Sequence, residues 1–473
     1  MKKIALIAHS NTGIVALRRV KNLLINKLDD TKFVLFVPNF ISDSYIKELI
    51  PEKNNLKIEK FGLGPKLKFL YILLKKNKNN NRKNLGISNE KYMKQLDIDE
   101  KDFIKFESKK AFSIKNIVII LIKLISRIIG SYFLNQNLKK YNFDIAIFST
   151  DRTNINTNYL YSICRNRNIK TVLAEFAHLA PKEYYLSERS LRPSCYVDIN
   201  GLFSRLFPDQ IICKNSTTGI SLWSITDTIS MFITGVLPRD PLNIIGSLNP
   251  DTIICSSDLL YEKCLKSPFI DKILVKKAIS VHTETVLEND SNKKQIRQKL
   301  IEDYGLEKDK TISIYSIVCL AHTNMYSEEE SENLQLEIIK KMFENNSNSL
   351  IIFHPSITSN RYSKTRKKYF SKIIKEPLTE IAPGIDIYIT MGETSAQEFL
   401  IPLNIQCLIV YETTRDLLGT YNKFENLHLI KNNTEDLKKK LNEFCDQNYK
   451  RDSYKLSNLN NSKYFSEIIL NML

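Results

Sequence analysis

Short apolar runs that stop at polar clusters alternate along this chain with stretches whose apolar residues recur at helical spacing. Residues 3–8 form such a run, His9 to Gly13 a polar turn, and residues 14–28 carry apolar positions at helical spacing with Arg18, Arg19 and Asn22 opposite. That order predicts strand, loop and helix. Residues 33–37, ahead of Pro38-Asn39, predict a second strand. Residues 143–148 predict one that ends in Ser149-Thr150-Asp151-Arg152, and 171–174 one that ends in Glu175-Phe176-Ala177-His178. Residues 251–255 predict another, closed by Ser256-Ser257, and 278–282 read as a further strand. Strands alternating with helical patterns predict parallel sheets in an α/β fold.

The pattern resumes after Asn289-Asp290-Ser291-Asn292. Residues 295–304 predict a polar helix, and 311–318 a strand reaching Cys319-Leu320-Ala321-His322. Residues 328–345 predict an amphipathic helix with acidic residues in its first turn and lysines late, which suits the helix dipole. Residues 350–353 deliver His354-Pro355-Ser356, and 385–390 deliver Met391-Gly392-Glu393-Thr394-Ser395. Residues 396–401 then have helix-forming character, 405–411 read as a strand, and 434–447 as a helix. The segment 463–473 is expected to pack back on the first lobe. In open parallel sheets ligands bind beyond the carboxyl ends of the strands, and a helix that opens with hydroxyls and N–H groups suits phosphate. His354, Gly392, Thr394 and Ser395 are therefore candidates for holding a phosphate. Asp151, Glu175 and His178 follow earlier strands and are candidate general bases, because such a base must come within about 3 Å of the hydroxyl it deprotonates.

The second half resembles the C-terminal domain of GT-B-fold glycosyltransferases that use CMP- or CDP-activated donors: bacterial sialyltransferases, capsule Kdo transferases and teichoic-acid glycerophosphotransferases. The likeness spans roughly residues 295–411 and rests on the His354-Pro355 pair and on Thr394-Ser395 ahead of a helix. Ser395-Ala396-Gln397-Glu398-Phe399-Leu400 looks like a Ser-x-x-Glu-Ala-Leu stretch of other GT-B enzymes, although Leu403-Asn404-Ile405 replaces their Gly-x-Pro. The resemblance implies that Glu398 meets a ribose or sugar hydroxyl, that the loop of His322 approaches the donor, and that the loop carrying Thr12 and Gly13 faces the cleft, where both are donor- or phosphate-binding candidates. It also implies His178 as the foremost base. The implied fold is α/β, with two Rossmann-like lobes (GT-B-like) facing each other across a cleft. Residues 1–285 would form an N-terminal acceptor lobe with a basic insertion at 65–140, and residues 286–473 a nucleotide-donor lobe.

Composition fits that picture. A chain of 473 residues exceeds what one core usually supports, and 43% hydrophobic residues suffice for two. Eight scattered cysteines without a C-x-x-C pair read as reduced core thiols. The first apolar run is too short for a signal peptide, so a cytoplasmic location is expected. The formal charge of +17 is uneven, with 18 Lys and Arg against 6 Asp and Glu over residues 65–140. Residues 75–110 are Asn- and Lys-rich and predict an exposed insertion. Residues 113–133 instead place Ile117, Val118, Leu121, Ile122, Leu124, Ile125, Ile128 and Ile129 on one helical arc. The unbroken apolar run is shorter than the roughly 20 residues a spanning helix needs. A core helix with one wet edge and an interfacial helix with basic flanks both fit. No nucleic-acid-binding motif accompanies the charge.

The expected activity is metal-independent transfer of a sugar from a nucleotide-activated donor to a cell-surface polysaccharide or glycolipid acceptor. No cofactor is expected, since the phosphate would be held by a helix N-terminus, hydroxyls and His354. An anionic membrane surface is a further expected partner. Two alternatives stand beside this: a sugar-nucleotide epimerase of the same two-lobe fold, and a non-catalytic membrane-peripheral protein.

Overall fold

The computed structural model describes residues 1–8, 11–28, 30–39, 41–50, 56–61, 114–149, 155–176, 185–186, 189, 193–233, 235, 237–238, 250–318, 327–354, 357, 360–391, 400–401, 403–411, 426–431, 434–446 and 463–473. The chain divides into two compact units, Met1–Ala278 with Ser466–Leu473, and Ile279–Phe465. The division falls ahead of the 285/286 junction read from the sequence, because helix Val281–Asp290 packs on helix Leu378–Ile381 of the second unit.

The first unit contributes strands β1 (Lys2–Ile7), β2 (Thr31–Pro38), β3 (Leu56–Phe61), β4 (Ile145–Phe148) and β5 (Lys170–Ala174), then β6 (Tyr196–Asp198), β7 (Ile211–Lys214) and β8 (Thr218–Ser221), and finally β9 (Thr252–Cys255) and β10 (Val275–Lys277). Seven of these form a parallel sheet in the order β10-β9-β5-β4-β1-β2-β3, the order of a Rossmann-like sheet that reverses between β1 and β4. Residues 4–7, 33–37 and 145–148 are buried throughout. Strands covered on both faces read as continuous apolar runs, which is why the sequence predicted them well.

Residues 278–282 differ from expectation. The strand is Val275–Lys277, and Ser280 starts a helix, its Oγ accepting from the Thr283 N–H at 3.1 Å. The apolar Ala278, Ile279 and Val281 imitate a strand, but a serine cap among them redirects the chain. The stretch around 187–240, left unassigned from sequence, contains the antiparallel sheet β6-β8-β7, which encloses Tyr196, Ile212, Ile220 and Leu222 with Trp223 against them. The basic amphipathic helix spans Ile114–Tyr141 and so outruns the predicted 133. Asn135, Gln136 and Asn137 dilute its pattern, yet Leu138 and Tyr141 are buried one turn later. The C-terminal helix Phe465–Met472 returns to the first unit, as expected. There Lys27 Nζ donates to Ser466 Oγ at 2.8 Å, and Lys170 Nζ to the Met472 carbonyl at 2.6 Å.

The second unit is built on β11 (Ser313–Ile317), β12 (Ser349–Phe353), β13 (Ile387–Met391), β14 (Gln406–Tyr411) and β15 (Leu427–Lys431). They are parallel, in the order β12-β11-β13-β14-β15, and the order reverses between β11 and β13. This is a second Rossmann-like sheet, so the α/β class with two such lobes holds. Helix Glu328–Asn345 links β11 to β12 and starts at a capping box. Ser327 Oγ accepts from the Glu330 N–H, and the Glu330 carboxylate accepts from the Ser327 N–H.

Cys164, Cys195, Cys213, Cys255, Cys264 and Cys407 are buried free thiols. Burial pushes the Cys164 thiol up to about 12, which leaves it protonated and inert at neutral pH.

Candidate functional site at the carboxyl edges of the two sheets

In the second unit β12, β11 and β13 are neighbours, and parallel strands lie about 4.8 Å apart. Their three exits therefore fall within roughly 10 Å of one another. The chain leaves β12 at His354, leaves β11 at Val318 and leaves β13 at Met391, directly before Gly392. Half-buried His354 continues the ladder for one more residue: its N–H donates to the Ile317 carbonyl at 2.9 Å, and its carbonyl accepts from the Ile357 N–H at 2.9 Å. His322, Gly392, Thr394, Ser395 and Glu398 lie outside the described residues.

A polar network inside the unit fixes two of these exits. Gln335 is buried on helix Glu328–Asn345 and meets Val318 with both ends of its amide. Its Oε1 accepts from the Val318 N–H at 2.9 Å, and its Nε2 donates to the Val318 carbonyl at 2.8 Å. The same Nε2 reaches Ser331 Oγ at 3.2 Å, and that hydroxyl pairs with the Tyr362 phenol at 2.7 Å. Tyr362 adopts φ 58° and returns its hydroxyl to the Val318 carbonyl at 3.2 Å. One residue on from it, the helix Ser363–Lys368 is secured by Glu332, whose Oε1 accepts from the Thr365 N–H at 2.8 Å and hydroxyl at 3.1 Å. Burial holds the adjoining Tyr315 phenol well above its ordinary range, so it stays neutral. The loops after β11 and β12 thus share one set of side-chain anchors. Arg366 adds charge, its guanidinium 3.8 Å from the ring centroid of Phe353, the residue before His354.

Sequence reasoning missed Ser331, Gln335, Tyr362 and Arg366. A signal for the first two was present: Ser331 and Gln335 stand at i and i+4 in register with Ile338, Ile339 and Met342, so polar groups occupy the buried arc of the helix.

In the first unit the strand order reverses between β1 and β4, whose ends are tied by the Ser149 N–H donating to the Ile7 carbonyl at 3.1 Å. Helix Asn11–Ile25 starts just beyond β1, with Thr12 in its first turn and Gly13 buried. Asp151 and His178 lie outside the described residues. Glu175 is buried at the end of β5, and its carboxylate is engaged on both oxygens. Oε2 accepts from the Ser256 and Ser257 N–H groups at 2.8 and 2.9 Å, and Oε1 from the Ser257 hydroxyl at 2.7 Å. Ser257 caps helix Asp258–Lys266, its Oγ accepting from the Leu260 N–H at 3.2 Å. A carboxylate set against a helix N-terminus, with charge-assisted bonds to two N–H groups, is a clamp between β5 and β9. The clamp fixes the end of β5, three residues ahead of His178 in the sequence.

No protein-family model and no curated protein matches the sequence. Solved structures resemble the chain along its length at low identity. UDP-GlcNAc 2-epimerase from Methanocaldococcus jannaschii is 13% identical, with a TM-score of 0.49 over 100% of this chain and 99% of that one. UDP-N-acetylglucosamine 2-epimerase from Rickettsia bellii is 13% identical, with a TM-score of 0.47 over 100% and 95%. Medicago truncatula UGT71G1, complexed with UDP-glucose, is 11% identical, with a TM-score of 0.43 over 100% and 93%. The Rossmann-like character of both sheets rests on the strand orders given above.

Proposed function

We propose that this protein is a glycosyltransferase that moves a sugar from a nucleotide-activated, CMP- or CDP-linked donor to a cell-surface polysaccharide or glycolipid acceptor. The supporting observation is the adjacency of β12, β11 and β13, whose carboxyl ends lead into His354, the segment of His322, and the Gly392, Thr394 and Ser395 cluster. In this reading the donor phosphate sits at that edge, held by His354, the two hydroxyls and helix N–H groups, with Glu398 on a ribose or sugar hydroxyl.

The acceptor oxygen attacks the anomeric carbon while a base takes its proton, and the bond from that carbon to the phosphate oxygen breaks. Its electron pair stays on the phosphate, where His354 and the hydroxyls offset the charge. His178 is the base in this scheme and Asp151 the second candidate, with Glu175 holding the strand end from which His178 follows. Thr12 and Gly13 open the helix at the reversal point of the first sheet and would be further donor- or phosphate-binding residues. The reaction belongs on the cytoplasmic side, where nucleotide sugars are made.

Calorimetric titration with CMP, CDP, UDP and GDP side by side tests the donor site. Saturable binding of CMP or CDP supports the reading, binding of UDP or GDP alone overturns its donor class, and binding of none removes its donor site. Turnover of the matching nucleotide sugar then separates reaction types. A transferase needs an acceptor, whereas a sugar-nucleotide epimerase converts the donor alone.

A further inference from the structure

Helix Ile114–Tyr141 exposes a continuous apolar row. Leu121, Ile125 and Ile128 are 52%, 53% and 64% accessible, and exposed Ile117, Val118 and Tyr132 extend the same face, while Ile120, Leu138 and Tyr141 are buried on the other. The helix packs against Ile225–Ile233, which adds exposed Phe232 and Ile233, the Phe232 ring held edge-on by Phe207 at 5.2 Å. Each of two touching helices thus keeps large apolar side chains in water, more than the scattered exposed residues normal on protein surfaces.

Helix Ile114–Tyr141 has five basic residues and no acidic one in its sequence, and it ends on the exposed pair Lys139 and Lys140. At its C-terminal end three ammonium groups gather around the Tyr141 ring, those of Lys57, Lys140 and Lys32 at 4.9, 5.6 and 5.8 Å from its centroid. Glu59 is the carboxylate among them, bonded to the Tyr141 hydroxyl and to Lys57. We infer that this face, the apolar row of helix Ile114–Tyr141 with Phe232 and Ile233 and its lysine-rich end, docks the protein on an anionic lipid bilayer, with the helix lying in the interface rather than crossing it. No helix among the described residues is long and apolar enough to cross a membrane.

The charge selects this occupant over others. A second copy of the chain would use the same patch on both sides of a two-fold axis and so bring basic helix against basic helix. The chain's own residues 65–113 hold 13 Lys and Arg against 6 Asp and Glu and are no better matched. Anionic headgroups supply the missing negative charge, and the acyl boundary receives the apolar row. The inference does not depend on the proposed transferase activity.

Co-sedimentation of the full chain with phosphatidylcholine vesicles and with equimolar phosphatidylcholine/phosphatidylglycerol vesicles tests it. Binding to the anionic vesicles is expected at low salt, at least tenfold stronger than to neutral ones. It should weaken at about 0.5 M salt, where the Debye length falls to about 4 Å. The combined Leu121→Glu/Ile125→Glu variant should lose at least tenfold in affinity with an unchanged melting temperature, since both side chains are already in water. Lys139→Glu/Lys140→Glu, which leaves the apolar row intact, should lose about 25-fold or more, at about fivefold for each lysine removed, and keeps the test valid if the first variant fails to fold. Absence of binding at low salt, or equal binding to both vesicle types, overturns the inference. So does a concentration-dependent dimer in sedimentation equilibrium that Leu121→Glu/Ile125→Glu dissolves.

Discussion

Gln335 treats Val318 as a strand partner would: its amide accepts from the Val318 N–H at 2.9 Å and donates to the Val318 carbonyl at 2.8 Å. A helix side chain thereby extends the β11 ladder by one residue and fixes the direction in which the chain leaves the sheet. Gln335→Leu keeps the volume but strands the Val318 N–H and weakens the tie through Ser331 to Tyr362. Leaving buried polar groups unpaired costs about 1–3 kcal/mol, so the unfolding free energy from denaturant titration should fall by that amount. Nucleotide affinity should fall as well, because the loop it aims belongs to the proposed donor site. Unaltered affinity in a variant with the expected loss of stability would confine Gln335 to the fold.

The Glu175 clamp predicts a structural phenotype. Glu175→Gln keeps the shape but replaces one acceptor oxygen with an NH2 group, which opposes the N–H or hydroxyl donors of Ser256 and Ser257. Hydrogen bonds to charged groups are worth about 1.5–3 kcal/mol, and stability should drop by an amount of that order. Turnover measured on the folded fraction should change little. Unaltered stability with a large fall in turnover would make Glu175 the base.

How much of this was legible from the sequence depended on what surrounds each residue. Strands β1, β2, β4 and β12 could be read because burial on both faces leaves uninterrupted apolar runs, and helix Glu328–Asn345 because its caps and its face agree. Residues 278–282 misled because an apolar pattern does not reveal Ser280 as a cap. The sheet β6-β8-β7 escaped because its strands are only three or four residues long and show no sustained alternation. At the candidate site His354 was legible, since chemistry at the carboxyl end of a parallel strand is a rule of topology. Gln335 and Tyr362 were not, because their contacts lie 17 and 44 residues away in the chain, at Val318.

His428 offers a pH-dependent test of the second unit. It is half-buried, and its Nε2 donates to Gln406 Oε1 at 2.8 Å. Burial holds its pKa below the ordinary 6.5, and Lys440 pushes the same way while Glu443 opposes. With the folded value depressed, the unfolded chain takes up the proton first as pH falls. Its contribution is therefore complete above about pH 6.5 and is lost as pH drops through the lower folded value. His428→Gln should remove that share of the acid sensitivity. Melting temperatures of both proteins at about pH 7.5 and about pH 5 check this, and an identical gap at the two values would discard it.

The functional proposal depends most on the residues that follow β12 and β13. His354 lies directly after a buried strand, so His354→Ala should cut turnover by about 10²-fold or more with little change in melting temperature, as when an electrostatic contact to developing charge is lost. If His354 only braces its loop, the variant loses stability instead. Thr394 and Ser395 raise the same choice between capping and binding. A hydroxyl that serves only as an N-cap is worth about 1 kcal/mol of stability, and its removal leaves nucleotide affinity unchanged. A hydroxyl that bonds the donor phosphate gives the opposite emphasis: Thr394→Ala/Ser395→Ala should weaken nucleotide binding by about 1.5–3 kcal/mol, or about 10- to 150-fold, while the unliganded protein melts almost where it did. Calorimetric titration of the double variant with the best nucleotide decides between them. An affinity within about threefold of wild type, a change of under about 0.7 kcal/mol, would remove the donor site from this sheet edge, and with it the main support for a transferase.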